Sequence, residues 1–507
     1  SIIFMYASIG RTFRFSQSER SCSMRNFGER RSRYVDIMAS SNGVTGSCLL
    51  NVVKSPDKST FKYIVDVGMH QGDEEKESRG ILDETLNRNF LFDPNNIDFV
   101  LLTHNHQDHI GRLPLLVKKG FTGKILASKP EIKLAPLALM DSYRIQKSSA
   151  KRSHCKELYS EKDTIQAIQM MEGANYEEVY VPHPKTKVTF FKNGHLPGAS
   201  IILVQISYYG EDDINILYTG DYKSTNRFFE VTELPQWVKD LPLTVVIEST
   251  YGDQHESDVH RCFAQNVTRQ LKDGGDVIIC VFSLGREQEV LAEIRQLQES
   301  GFIDPNIPVY VDGKLAQNYN NLFEDRETLG IDVTFKDFVP FNFNNVDKVT
   351  RTSLLHSPEQ KIIITTSGFG TYGPAATYLS EFITHKNAMI HFTTGYMPEY
   401  SVRGQMYKAQ EGETVKIGGV IKKKLAQVCA TPEFSAHARQ EELLDFLKQF
   451  TNLKLVLINH GTPETENALG QRIVEEIRAD NVAILNRDYM YRINSQGLMK
   501  MMPAKFI

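Results

Sequence analysis

The chain has 507 residues, 41% hydrophobic and 24% charged, which is long enough for two or three domains with sizeable buried cores. No run of about 18 apolar residues occurs, so the sequence predicts no membrane-spanning helix. A net charge of −4 excludes an overall basic surface, and six scattered cysteines without a Cys-x-x-Cys pair exclude a dense disulfide framework. Reduced thiols fit this pattern, and we expect a cytoplasmic protein without membrane contact.

The first 33 residues differ in composition from the rest of the chain. They contain seven Arg, no Lys and two acidic residues, Glu19 and Glu29. Such a basic stretch is typical of an organelle-targeting segment, but a flexible tail or an artefact of where the sequence begins has the same composition. We expect a basic, flexible N-terminal extension over residues 1–33.

Short apolar runs separated by turn residues begin at residue 34 and predict strands. The first three strands, two of them joined across the Asn42-Gly43 turn, predict an antiparallel sheet. A polar helical region occupies roughly residues 130–176. Together these patterns indicate a β-sandwich flanked by helices. The predicted strands are 34–39, 47–53, 63–67, 99–103, 125–127, 188–191, 201–206 and 214–218.

From about Gly252 the pattern changes to strand followed by helix, which indicates a parallel, doubly wound sheet. Near Thr431 the earlier character returns. We therefore predict an α/β (α+β) protein whose first domain comprises residues 34–252 and 436–507, with an α/β module inserted at 253–435. The predicted strand–helix pairs are 277–282 with 286–298, 309–311 with 314–326, and 361–366 with 374–384; after the insertion come a helix at 440–450, a strand at 453–459 and a helix at 464–477.

Four potential metal ligands lie within six residues immediately after an apolar strand. The segment is Thr-His-Asn-His-Gln-Asp-His at residues 103–109. Zinc binds imidazole nitrogen and carboxylate oxygen, and an open strand end can direct neighbouring side chains toward two separate ions. We therefore predict a metal site rather than a polar loop with chance histidines.

Three more residues of the same kind follow apolar strands, namely His195, Asp221 and His460. A pair of metal ions needs a carboxylate that bridges them, and Asp221 is the candidate because one carboxylate can contact two ions about 3.5–4 Å apart. Taken singly, His195 or His460 fits an ordinary core or loop histidine. Together with the cluster they extend the predicted ligands to seven.

These residues resemble the metallo-β-lactamase fold, and three further segments resemble its β-CASP nucleases. The three segments are Glu-Ser-Thr-Tyr-Gly at 248–252, Phe-Ser-Ala-His-Ala at 434–438 and Asn-His-Gly-Thr at 459–462. The form of the first segment is similar to that of the endonuclease of mRNA 3′-end processing and its archaeal and bacterial relatives. The resemblance implies an αββα sandwich with an inserted Rossmann-like β-CASP domain.

The resemblance also implies a ligand set for each of two zinc ions per chain. Asp66 would orient a ligand through a hydrogen bond, although a turn-forming aspartate after a strand is an alternative explanation of it. Asp221 would belong to both sets. His104, His106, His195 and Asp221 would hold the first ion, and Asp108, His109, Asp221 and His460 the second.

The implied chemistry is hydrolysis of RNA phosphodiester bonds by two-metal activation of a bridging water. His437 would be the general acid that protonates the departing ribose oxygen, and Glu248 would hold its imidazole by a hydrogen bond. Asp108 joins these two as a candidate catalytic residue. The alternative for Glu248 and His437 is a structural ion pair joining the two domains.

Candidate RNA contacts lie in the inserted module. A glycine-rich turn with Ser367, Gly368 and Gly370 precedes a helix whose free N–H groups could receive a phosphate, and Arg403 could contact the RNA backbone. An ordinary strand-to-helix turn and a surface arginine are the alternatives. The lysine run 422–424 is predicted to be a solvated strand edge.

Two other functions remain open. A single-stranded DNA nuclease of the same superfamily is one, although His460 is typical of the RNA-processing branch and valine of the DNA-repair branch. A catalytically silent RNA-binding scaffold is the other, although no ligand is missing from the pattern. Endonuclease and 5′-exonuclease modes both fit, as do a homodimer and an RNA-processing assembly.

Overall fold

The computed structural model describes residues 33–70, 86–152, 154–324, 342–370, 373–395, 397, 401–504 and 506. Most of the predicted N-terminal extension, residues 1–32, lies outside this part of the chain. Arg33 was assigned to that extension, yet it is buried and its guanidinium donates to the carbonyl of Asp212, so it belongs to the fold. No helix in the described ranges combines the length and the apolar character needed to cross a membrane.

The first sheet has eight strands in the order β23-β22-β1-β2-β3-β4-β5-β6. Its first three strands in sequence are antiparallel, as predicted, whereas β3 to β6 run parallel to one another. The strands are β1 (Tyr34–Ala39), β2 (Leu49–Lys54), β3 (Thr60–Val65), β4 (Phe99–Leu101), β5 (Lys124–Ser128), β6 (Met171–Ala174), β22 (Tyr489–Asn494) and β23 (Gly497–Pro503).

The second sheet has seven strands in the order β21-β20-β11-β10-β9-β8-β7. Strand β20 follows the insertion in sequence but pairs in parallel with β11, which precedes it, and Glu248 lies opposite Asn459. The strands are β7 (Val179–His183), β8 (Thr186–Lys192), β9 (Ser200–Ile206), β10 (Ile214–Tyr218), β11 (Leu243–Glu248), β20 (Leu453–Asn459) and β21 (Ala479–Ile484).

The two sheets pack face to face around a core of alternating strand residues such as Val35, Phe190 and Leu457. At its centre the hydroxyls of Tyr63 and Tyr218 lie 3.0 Å apart, so these two tyrosines, one from each sheet, form a hydrogen bond that satisfies their buried polar groups. Helices cover both outer faces of this sandwich. They are α1 (Gln107–Ile110), α2 (Leu113–Lys118), α3 (Glu131–Arg152), α4 (Glu161–Gln169), α5 (Gln236–Lys239), α12 (Gln440–Lys448) and α13 (Pro463–Glu476).

The inserted module contains an all-parallel sheet in the order β14-β13-β15-β12-β16-β19, with apolar clusters on both faces. A separate hairpin of β17 and β18 follows its last helix. The strands are β12 (Asp276–Cys280), β13 (Val309–Asp312), β14 (Asn344–Asn345), β15 (Ile362–Thr365), β16 (Ala388–Phe392), β17 (Thr414–Ile417), β18 (Val420–Lys423) and β19 (Gln427–Ala430); the helices are α6 (Phe263–Lys272), α7 (Arg286–Glu299), α8 (Lys314–Glu324), α9 (Lys348–His356), α10 (Gly373–Phe382) and α11 (Val402–Lys408).

Several predicted elements are wrong in detail. The predicted helical region ran to residue 176, but Met171–Ala174 is a strand that pairs with β5. The strand predicted over 99–103 ends at Leu101, because Thr103 turns its backbone N–H to the carboxylate of Asp66. Lys424, predicted to be solvated, is buried and donates to the carbonyl of Ala409.

Candidate metal centre

The predicted ligands meet at one edge of the sandwich, where strands of both sheets end. His104 follows β4 in the first sheet, whereas His195, Asp221 and His460 follow β8, β10 and β20 in the second. All four are buried. Strands that run in the same direction bring their carboxyl ends to the same edge of a sheet. Because the two sheets face each other, the residues at this edge of one sheet lie close to those of the other.

The first donor group consists of His104, His106, His195 and Asp221. The Nδ1 atom of His106 lies 3.2 Å from Nε2 of His104 and 3.2 Å from Nε2 of His195. The Oδ2 atom of Asp221 lies 3.5 Å from the first of these Nε2 atoms and 3.7 Å from the second. Three imidazole nitrogens and a carboxylate oxygen around one point form a donor set suited to zinc.

The second donor group consists of Asp108, His109, Asp221 and His460. The Nε2 atoms of the two histidines lie 3.2 Å apart. Nε2 of His460 is 3.5 Å from Oδ2 of Asp108, and Nε2 of His109 is 3.2 Å from Oδ1 of Asp221. Asp221 therefore turns one oxygen to each donor group and would belong to the ligands of both ions.

Asp66 supports the second group without belonging to it. One of its oxygens accepts from the backbone N–H of Thr103 at 2.8 Å, and the other lies 2.7 Å from Nδ1 of His109. This contact leaves Nε2 of His109 to face the donor group. Asp66 and His460 both adopt positive φ angles, 61° and 57°, which are uncommon for residues other than glycine and are typical of functional sites.

The surroundings favour the metal-binding forms of the first donor group, His104, His106, His195 and Asp221. Burial lowers the pKa of His106 to about 4 and holds the pKa values of His104 and His195 well below the ordinary range, so their imidazoles are neutral. Burial opposes the charged form of Asp221, but the imidazoles around it, His109 first, hold the pKa of its carboxyl well below the usual value. Neutral imidazole and ionised carboxylate are the ligand forms. Burial opposes the charged forms of His109 and His460, but the carboxylates around them, Asp221 first, outweigh it and raise the pKa values of both, so a metal ion would displace a proton from each of these imidazoles.

His437 and Glu248 lie beside this centre as a hydrogen-bonded pair. Nδ1 of the imidazole is 3.0 Å from Oε2 of Glu248, and its Nε2 points toward Asp221, with Oδ2 at 3.9 Å. Glu248 is buried and also accepts from the backbone N–H groups of Tyr222 and Thr250. The carboxylate therefore fixes the ring and leaves its Nε2 atom directed at the metal centre.

The predicted RNA-contacting residues lie together in the inserted module. Arg403 is buried, not a surface residue, and its guanidinium stacks 4.0 Å from the ring centroid of Phe369 within the glycine-rich turn. In the same turn the hydroxyl of Ser367 is buried without a hydrogen-bond partner among the described residues, and the backbone N–H of Gly370 donates to the carbonyl of Ser367. Gly368 packs against the ring of Phe282. Residues 371 and 372, between this turn and helix α10, lie outside the described residues.

Sequence reasoning did not assign a role to Thr250. Its hydroxyl lies 3.2 Å from Nδ1 of His460 and 3.2 Å from the carbonyl of the same residue. It thus contacts the ligand from the segment that also carries Glu248. The position within that segment was the only signal in the sequence, and it does not show which histidine the hydroxyl reaches.

Three family models match the chain in the order of these structural parts. The metallo-beta-lactamase superfamily matches residues 52–222, the Beta-Casp domain residues 287–404, and the Zn-dependent metallo-hydrolase RNA specificity domain residues 425–484. The first match contains six of the seven predicted ligands, and the third contains His437 and His460. The matched segments therefore cover the whole candidate centre except Glu248.

Curated proteins from archaea, bacteria and fungi are similar to the chain along most of its length. Transcription termination factor FttA of Methanosarcina mazei is 26% identical over 460 residues, which are 87% of this chain and 68% of that protein. Ribonuclease TTHA0252 of Thermus thermophilus is 27% identical over 435 residues, 83% of this chain and 92% of that protein. Endoribonuclease YSH1 of Candida glabrata is 25% identical over 419 residues, 79% of this chain but only 52% of that protein.

The αββα sandwich, the parallel inserted sheet and the convergent histidines define a metallo-hydrolase of the metallo-β-lactamase superfamily. Within it, the chain belongs to the β-CASP metallo-hydrolase family of RNA nucleases. The family and the fold class predicted from the sequence motifs are thereby confirmed.

Proposed function

We propose that this chain is a zinc-dependent ribonuclease that hydrolyses RNA phosphodiester bonds with two metal ions per chain. The observation that carries the proposal is the pair of donor groups that share Asp221. Imidazole nitrogen and carboxylate oxygen are donors that zinc prefers, and no residue of either predicted group is missing. When bound, a pair of such ions supplies an activated water and stabilises negative charge on the phosphate oxygens.

The remaining task in hydrolysis is to protonate the departing ribose oxygen, and we assign it to His437. Its Nδ1 is held by Glu248, so Nε2 is the ring nitrogen that faces the centre and can pass a proton to the departing oxygen. The side chain is 14% exposed, whereas those of His104, His195 and Asp221 are at most 2% exposed, so a substrate can reach it. Glu248 acts as the positioning residue, and Asp108 contributes as a ligand of the second ion.

RNA is the proposed substrate rather than DNA. In support, the chain matches the RNA specificity domain, and its relatives include a protein named ribonuclease and one named endoribonuclease. His460 is a second support, since the resemblance associates histidine at this position with RNA processing. A catalytically silent scaffold is the weaker alternative because the donor groups are complete.

We further propose that the inserted module binds the RNA backbone through Ser367, Gly368, Gly370 and Arg403. Helix α10 begins at Gly373, shortly after the glycine-rich turn, so the positive end of its dipole is available to a phosphate, while the N–H of Ala375 in its first turn already donates to the carbonyl of Thr366. Stacking on Phe369 holds the guanidinium of Arg403 against this turn. Three other points are proposed in the same way. The domains are proposed to be 34–252 with 436–507, and 253–435. The protein is proposed to be cytoplasmic, and to form a homodimer or part of an RNA-processing assembly.

The test is digestion of an end-labelled RNA by protein loaded with zinc, with a DNA strand of the same sequence as competitor. We expect RNA cleavage that a chelator abolishes and that added zinc restores. Internal cuts would indicate an endonuclease and stepwise release of mononucleotides an exonuclease. Activity that persists in chelator, or a clear preference for DNA, would overturn the proposal, and a folded, zinc-loaded but inert protein would favour the scaffold.

A further inference from the structure

The side chain of Asn193 joins two loops that carry metal ligands. We call residues 193–199 the His195 loop and residues 219–223 the Asp221 loop. The amide of Asn193 is 1% exposed and lies between them. Because a buried amide is costly unless its hydrogen-bonding groups are satisfied, the partners of this one are informative.

All four hydrogen bonds of this amide go to backbone groups. Its Nδ2 donates to the carbonyls of Thr219 at 2.8 Å and Asp221 at 2.6 Å. Its Oδ1 accepts from the backbone N–H groups of His195 at 3.0 Å and Lys223 at 3.2 Å. Three of the four bonds reach the Asp221 loop, and the fourth reaches the ligand residue of the loop that carries the amide.

The fit is specific to asparagine. Aspartate has the same shape but no donor, so it would leave the carbonyls of Thr219 and Asp221 unpaired and facing a carboxylate. Alanine would leave four buried backbone groups without these partners. The backbones also approach closely here, because a Cβ atom on the neighbouring Gly194 would come within 2.5 Å of the carbonyl oxygens of Lys223 and Thr225.

We infer that Asn193 is a positioning residue that sets the distance between His195 and Asp221 and thereby selectively maintains the first donor group. Nε2 of His195 and Oδ2 of Asp221 lie 3.7 Å apart in that group. Their positions depend on the two loops that the amide joins. The inference rests on the proposed metal centre.

The second donor group depends on this amide far less. Of its four residues only Asp221 lies in a joined loop, whereas Asp108, His109 and His460 are held by other segments. The Asp221 loop has other supports as well, since the N–H of Thr219 donates to the carbonyl of Val246 and the N–H of Ala438 to that of Tyr222. Loss of the amide should therefore weaken the first group and largely spare the second, which a general loss of stability would not do.

The experiment measures zinc affinity in two backgrounds that each retain one donor group. His460→Ala disables the second group, and His106→Ala disables the first. Asn193→Ala is then added to each, and dissociation constants are obtained by competition with a chromophoric chelator. We expect Asn193→Ala to raise the zinc dissociation constant roughly 10-fold or more in the His460→Ala background, which is the usual effect of removing a residue that orients a ligand. In the His106→Ala background we expect the dissociation constant to change by less than about 3-fold.

Asn226→Ala is the matched control. Its amide also bonds to the His195 loop, donating to the carbonyl of Gly194 at 2.9 Å, but its Oδ1 accepts from Phe228 and not from the Asp221 loop. We expect it to change zinc affinity by less than about 3-fold in either background. Should Asn193→Ala fail to fold, Asn193→Asp is measured in the same way, because it preserves the volume and one acceptor.

Equal weakening in both backgrounds, or no weakening in either, would overturn the inference. Its failure is distinguishable from that of the proposed function. A wild-type chain that binds no zinc would refute the metal centre, whereas a wild-type chain with two ions and an unaffected Asn193→Ala variant would refute only the role of Asn193.

Discussion

The carboxylate of Asp221 faces a different set of histidines with each of its oxygens, which ties the two donor groups to one side chain. Its ionised form persists in spite of burial because imidazoles surround it. The same environment keeps His104, His106 and His195 neutral. The first donor group is therefore in its metal-binding form before any cation is present, whereas His109 and His460, whose pKa values are raised, would give up protons to a cation.

His437 offers the most direct test of catalysis at a single residue. Replacing it by alanine removes the proposed proton donor but none of the ligands, so we expect kcat to fall roughly 10²–10⁴-fold, the usual contribution of general acid catalysis. Zinc content should stay at the wild-type value. Cleavage rates on end-labelled RNA and metal analysis of the same preparation provide the two readings.

The alternative for this residue is a structural ion pair with Glu248, and the same variant separates the two. If the pair only joins the domains, His437→Ala lowers the melting temperature and leaves turnover per folded molecule near that of the wild type. His437→Gln serves as the control, since an amide can still hydrogen-bond to Glu248 but cannot act as an acid near neutral pH.

The two donor groups could be predicted from the sequence because four of their residues lie within six positions and the others follow apolar strands. Contacts between distant segments could not be predicted from the sequence. The sequence marks neither the four backbone partners of Asn193 nor the reach of Thr250 to His460. Arg403 and Lys424 were expected on the surface because charged residues usually lie there, whereas ring stacking and a backbone carbonyl let them be buried.

At the scale of elements, the strands that were predicted correctly are mostly apolar, such as β10 and β20, which are buried almost throughout. Strands of weaker pattern were missed. Met171–Ala174 contains a glutamate and a glycine, and Val179–His183 is a largely exposed edge strand. These segments are strands because they pair with neighbouring strands, and not because their own residues prefer the strand conformation.

Helix α7 of the inserted module carries a buried carboxyl that makes stability depend on pH. Glu287 is fully buried, its oxygens accept from Asn320 at 2.9 Å and Gln288 at 2.7 Å, and burial raises its pKa from 4.5 to about 8. Between these two values the unfolded chain has lost a proton that the folded chain retains. Stability therefore falls as the pH rises through this window, by up to about 1.4 kcal/mol per pH unit.

Glu287→Gln removes this titration while preserving the shape of the side chain. We expect the melting temperature of the variant, relative to that of the wild type, to increase steadily from pH 5 to pH 8. Glu299→Gln, at the exposed end of the same helix, is the matched control. A difference between Glu287→Gln and the wild type that does not change with pH would show that the buried carboxyl has no such effect.

At the scale of the whole molecule, the inserted module and the sandwich are in direct contact beside the metal centre. Leu196 of the His195 loop packs into the apolar cluster of the module, and the guanidinium of Arg227 donates to the carboxylate of Glu293 in helix α7 at 2.8 Å. The change from one strand and helix pattern to another along the sequence predicted the two-part first domain and the insertion. The sequence does not show how closely the sandwich and the module are joined, because these contacts link residues that are far apart in the chain.

The measurement that tests the metal centre most directly is anomalous diffraction at the zinc absorption edge from crystals grown with zinc. Two peaks on either side of the Asp221 carboxylate are expected, one among His104, His106 and His195 and the other among Asp108, His109 and His460. Peaks elsewhere, or no bound zinc at this edge of the sandwich, would contradict the two-metal account.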